Sequence, residues 1–130
     1  MFDKYMICEH DFRNMVEAGE VTGFQFKARL PYYRGIGISM IEDLAVTVDA
    51  QRFPRQALRI TLHGNTYTLD AMEGEYEDRW EFGEEGIVTV QNPGGLTPGL
   101  HKIELEAVLR ISYLPFLLTG GDTKVLELAE

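Results

Sequence analysis

The sequence predicts an all-β chain, an antiparallel, jelly-roll-like β-sandwich with at most one or two short helical turns. Three observations carry that prediction. Apolar residues recur with period two along most of the chain. Gly, Pro and Asn punctuate the alternating runs. No segment keeps a helical period long enough to build a layer.

The elements follow in order. HDFRNMVEAGE places Phe12, Met15 and Val16 at helical spacing, and Gly19 ends it early, so one or two helical turns are expected there. In GFQFKARL, Phe24, Phe26, Ala28 and Leu30 share one face of a strand, and Gln25, Lys27 and Arg29 share the other. LAVTV and LRITLH alternate in the same way, and so does IVTV at 87–90. His63-Gly64-Asn65-Thr66 reads as a two-residue hairpin turn, because Gly and Asn tolerate positive φ. MEGEYEDRWEFG sets Met72, Tyr76 and Trp80 at i, i+4 and i+8, a second candidate for a helical turn or two. HKIELEAVLRISYL is the longest alternation. It exceeds the usual strand of about 5 to 6 residues, so a bulge or bend is expected in it. The segment from about 116 to 130, containing TGGDTKVLELAE, is either a final edge strand or a tail. With 130 residues and no linker, repeat or low-complexity segment, the chain is read as one domain, 1–130.

Composition narrows function. The net charge of −9 would repel phosphate backbones, which argues against nucleic acid. One cysteine, Cys8, cannot build a disulfide framework. The N-terminal segment lacks an apolar leader, and no stretch approaches the roughly 18 apolar residues of a spanning helix. A cytoplasmic protein without membrane partners is therefore expected. Phosphate-loop, HExxH, CxxC and GxSxG patterns are absent, and three dispersed histidines give no metal-ligand spacing.

A few residues stand out. Histidine as a residue type titrates near neutrality, so His63 reads either as a catalytic candidate or as a solvent-facing corner residue. Asn65 suits a turn former. The acidic run around residues 75–85 reads as a solvated face. Within it, Trp80 and Arg79 belong to the types enriched at interfaces, yet Trp80 could equally be a core anchor. In RLPYYRGIGIS, Pro31 holds Leu30 extended, and Tyr32 and Tyr33 must point in different directions. With Arg34, Gly35 and Gly37 they read as a recognition loop, or as one core and one rim tyrosine at a strand crossover.

GFQFKARLPYYRGIGISMIEDLAVTVD, HGNTYTLDAM, YEDRWEFGE and LRISYLP resemble the small β subunit of bacterial C-glycoside deglycosidases, from about Tyr5 to Pro115. The resemblance implies a lyase of two subunits, an αβ pair or a symmetric multiple of it. A TIM-barrel α subunit would hold a divalent metal, usually manganese, and the general base. The complex would cleave the C–C bond of 3-oxo C-glycosides, of flavonoid type, by β-elimination, releasing an unsaturated anhydro-ketose. For this chain the resemblance implies no cofactor, no catalytic residue and no metal ligand of its own. Interface or pocket-wall roles are expected for Tyr32, Tyr33, Arg34, His63, Asn65, Tyr67, Arg79 and Trp80. Among them Tyr33 and Arg34 are expected to reach the shared active site and Trp80 to lie at the interface. A lone chain with an uncovered aromatic end should self-associate. Two other classes compete with this reading. One is a stand-alone carbohydrate-binding sandwich, which would bind glycosides without a partner. The other is an independent β-barrel isomerase, which would turn over alone.

Overall fold

The computed structural model describes residues 5–32, 34–111 and 114–128. Two antiparallel sheets form a sandwich, as the period-two pattern requires. The first has the order β1-β2-β9-β6-β7, built from β1 (Arg13–Glu17), β2 (Glu20–Ala28), β9 (Gly86–Gln91), β6 (Leu58–Leu62) and β7 (Asn65–Thr68). The second has the order β11-β10-β4-β5, built from β11 (Leu118–Leu128), β10 (Gly99–Leu109), β4 (Ile41–Val48) and β5 (Gln51–Arg52). A two-stranded patch, β3 (Ile36–Gly37) with β8 (Arg79–Trp80), closes one end. The chain crosses between the large sheets from β2 to β4, from β5 to β6 and from β9 to β10.

The inward faces are those the alternation selects. Phe24, Phe26, Ile60, Val88 and Val90 meet Val46, Ile103, Leu105 and Leu109, all buried. Phe24 packs edge-on against Phe12 and Phe53. On the outer face Gln25 is also buried, and its amide nitrogen finds no partner among the described residues.

Hairpins at 18–19, 49–50 and 63–64 share one device. Each joins strands by two residues with positive φ, the turn whose twist matches that of the strands. The expected turn at His63 exists, but its central residues are His63 (φ 53°) and Gly64 (φ 80°), and Asn65 opens β7 opposite Leu62. Three further expectations are settled here. HDFRNMVEAGE is not helical: Arg13–Glu17 is a strand, because pairing with β2 satisfies its backbone and the Ala18-Gly19 turn returns the chain. MEGEYEDRWEFG is not helical beyond its first residue: α1 (Leu69–Met72), capped by the Thr68 hydroxyl accepting from Ala71 N–H, ends at Met72, and Trp80 lies in β8. The C-terminal segment is an edge strand, since β11 pairs with β10 along its whole length. The bend expected in the long strand is a register shift between Val108 and Leu109 against β4.

Register separates the two ends of the sandwich. One end gathers the exits of β2, β6 and β10 with β3 and β8. The other gathers the 49–50 turn and the loop from Asn92 to Pro98.

Candidate functional site

At the first end, three segments interlock: the tip of the β6–β7 hairpin, the strand β8 with its flanks, and the chain leading into β3. The positive-φ backbone of His63 aims its ring at β8. His63 Nδ1 lies 2.7 Å from Asp78 Oδ1, and Nε2 lies 2.6 Å from Glu84 Oε2. A ring with an acceptor at each nitrogen is satisfied as a doubly protonated imidazolium. The hydrogen bond to Asp78 and the charge of Glu84 accordingly raise its pKa above the ordinary histidine value.

Asp78 is the hub. Its carboxylate accepts from Tyr67 Oη at 2.6 Å, from His63, and from Arg79 N–H at 2.8 Å. These donors, Tyr67 first, hold its carboxyl below the usual carboxylate range, against the opposing effect of burial. The same bond to Asp78 pushes the Tyr67 phenol up to about 12, with Asn65 pulling weakly the other way. The bonds favour a neutral Tyr67 donor, an ionised Asp78 and a protonated His63, so the cluster holds complementary charges in position.

From Asp78 and Arg79 the network reaches both flanks of β3. The Asp78 backbone carbonyl accepts from Ile38 N–H at 3.2 Å. Arg79 donates through Nη2 to Gly35 O at 2.9 Å and through Nε to Glu81 at 3.2 Å. A Cβ on Gly35 would lie 2.0 Å from the Glu81 carboxylate and 3.1 Å from Glu81 Cα, so a larger residue there would push the Glu81 side chain off Arg79.

The structure brings together the described candidates. Tyr32 is buried and Arg34 exposed, and both line a cleft of about 350 Å³ with Arg79 and Arg110. His63, Asn65, Tyr67 and Arg79 surround the Asp78 network. Tyr33 lies outside the described residues. Trp80 is corrected: it is 1% exposed, stacked over Gly86, where a Cβ would come within 2.7 Å of the ring, and its indole N–H donates to Glu84 O at 2.8 Å. It is the core anchor of this end and presents almost no surface to another chain. Sequence reasoning missed Asp78, Glu84 and Arg110. The first two belong to the acidic run that reads as a solvated face, and Arg110 lies in the longest alternating run, where nothing in the pattern singles it out. No linear spacing marks their convergence. The only signal in the sequence is a histidine at a turn shortly before that acidic run.

The same end carries exposed large apolar side chains. Tyr5, Tyr76, Phe82, Phe116 and Leu117 are each more than half exposed. Tyr5 and Phe82 flank a shallow, mostly apolar depression with Leu30. Among the described residues, no group of three His, Cys, Asp or Glu side chains is arranged to hold a metal ion. Among the described residues, no helix is long and apolar enough to cross a membrane.

A family model described as the C-glycoside deglycosidase beta subunit matches residues 2–113. A Eubacterium cellulosolvens protein of that name is 35% identical over 92% of this chain and 82% of its own. A Microbacterium protein named 3'-dehydrocarminate deglycosidase beta subunit is 36% identical over 72% of this chain and 70% of its own. A C-glycoside deglycosidase beta subunit from Arthrobacter globiformis is 29% identical over 71% and 69%. With the matched segments spanning both sheets and the interlocked end, the chain belongs to the C-glycoside deglycosidase beta subunit family.

Proposed function

We propose that this chain works as the non-metal-binding subunit of a cytoplasmic carbon–carbon lyase, packed by its interlocked end against a TIM-barrel α subunit. In this reading the α subunit contributes the divalent metal and the general base. The 3-oxo sugar's ketone acidifies the neighbouring C–H, the base takes that proton, and the aromatic aglycone leaves by β-elimination. This chain walls the substrate entrance with Arg34, Asn65 and the His63–Asp78–Tyr67 network and buries its exposed aromatics in the interface.

One observation carries the reading: the polar candidates and five exposed apolar side chains share one end of the sandwich. Apolar surface rimmed by fixed charges is the usual make-up of a subunit interface. The experiment is co-expression with a TIM-barrel subunit, followed by size-exclusion chromatography and turnover of a 3-oxo C-glycoside. The expected result is a stable complex whose turnover falls at least tenfold in His63→Ala and Arg34→Ala. Full turnover by the lone chain, or by both variants in complex, contradicts it.

A further inference from the structure

The buried His101, at the end of the sandwich away from His63, has an acceptor at each ring nitrogen. Nδ1 lies 2.6 Å from Asp49 Oδ2, and Nε2 lies 2.6 Å from Thr97 O. Both acceptors are served only while the ring is doubly protonated, because a neutral imidazole carries one N–H. Asp49, from the β4–β5 turn, is the charged group acting on the ring among the described residues. The other neighbours are apolar: Phe12 meets the ring edge-on, and Leu126 lies opposite on β11. The adjacent Lys102 ammonium pairs with Glu104 at 3.4 Å.

The two acceptors depend on the ring unequally. Asp49 is tied to β10 twice more. Its Oδ1 accepts from Lys102 N–H at 2.9 Å, and its own N–H donates to Lys102 O at 3.0 Å. Thr97 has no second hydrogen bond among the described residues. Pro98 has no N–H to give, and both residues are exposed. The segment is anchored on one side by Asn14, which bonds both the N–H and the carbonyl of Leu96 at 2.9 Å, and on the other by β10. A ring that loses one proton keeps its N–H on the carboxylate, the stronger acceptor. Nε2 then turns a lone pair toward the Thr97 carbonyl, and an attractive contact becomes a repulsive one.

We infer that His101 is a pH-released latch: protonated, it holds Thr97 and Pro98 to β10, and neutral, it frees that segment while Asp49 stays bound. Burial works against the charged ring, but the Thr97 carbonyl and the Asp49 carboxylate outweigh it. Release therefore comes as pH rises above the ordinary histidine value of 6.5. The latch does not depend on the subunit role proposed above.

The test is NMR of the isotope-labelled 130-residue chain from about pH 5.5 to 9.5. The order parameter of the Thr97 amide is expected to fall from about 0.85, the rigid range, to below about 0.6. The midpoint should match that of the His101 ring, while amide protection at Asp49 and Lys102 persists. His101→Phe should leave Thr97 mobile at both ends of the range. A Thr97 amide that stays rigid through the ring titration, a ring that does not titrate, or a His101→Phe chain as rigid at Thr97 as the unaltered one overturns the inference. If His101→Phe fails to fold, as judged by circular dichroism, the agreement of the two midpoints in the unaltered chain decides.

Discussion

His63 and His101 sit at opposite ends of the sandwich and are built alike. Each has an acceptor at both ring nitrogens. His101 Nδ1 lies 2.6 Å from Asp49 Oδ2, and Nε2 lies 2.6 Å from Thr97 O. Asp49 also accepts from Lys102 N–H, and Phe12 packs edge-on against the ring. Burial pulls the His101 pKa down, but the Thr97 carbonyl and the Asp49 carboxylate outweigh it, and the net direction is up. The difference is exposure. The His101 side chain is 9% exposed and that of His63 is 46%. The same ionic motif therefore serves as a structural rivet at one end. At the other it stands in solvent, among arginines and uncovered aromatics, where a second molecule can meet it.

The strongest way to break this contrast is to disturb the support under the exposed network. Trp80→Ala removes the anchor below β8 and should cost about 3–5 kcal/mol, the usual range for a buried tryptophan, read by urea denaturation. Because Arg79 and Asp78 ride on that strand, complex formation should fall with it. A loss below about 1 kcal/mol would mean that this end is not held as described.

A smaller effect sharpens the comparison from the other end. His101→Phe keeps the ring but removes both charged hydrogen bonds, and should cost about 1.5–3 kcal/mol while leaving turnover of the complex near normal. The pH dependence has a definite sign. A histidine whose folded pKa is raised contributes fully below about 6.5, its ordinary value, and loses that contribution as pH rises through the higher folded value. Asp49 is held low, first by His101, so its contribution is present above its ordinary value of 3.8 and fades only as pH falls through the lower folded value. Melting temperature should therefore be higher at pH 5.5 than at pH 8.5, and His101→Phe should flatten that slope. An unchanged slope would remove His101 as its source.

How much of this was legible in the sequence differs between these regions for a physical reason. The sheets follow from alternation because burial acts on every second residue, as Phe24, Phe26 and Val46 illustrate. Arg13–Glu17 misled because Phe12, Met15 and Val16 fit a helical spacing by chance, whereas the Ala18-Gly19 turn needs no asparagine to mark it. Trp80 could not be read from type alone, since the same indole serves cores and interfaces. The Asp78 hub was illegible because its bonds join residues 63, 67, 78 and 84 across a hairpin and a loop. The family resemblance was legible in the sequence, and the family model matches residues 2–113.

The most direct test of the proposal that the His63 end meets the partner is hydrogen exchange of the chain alone against the chain in complex with the proposed partner subunit. The predicted result is new protection in peptides covering residues 30–40 and 62–86, with residues 49–50 and 92–101 unchanged. Protection confined to the His101 end would contradict it.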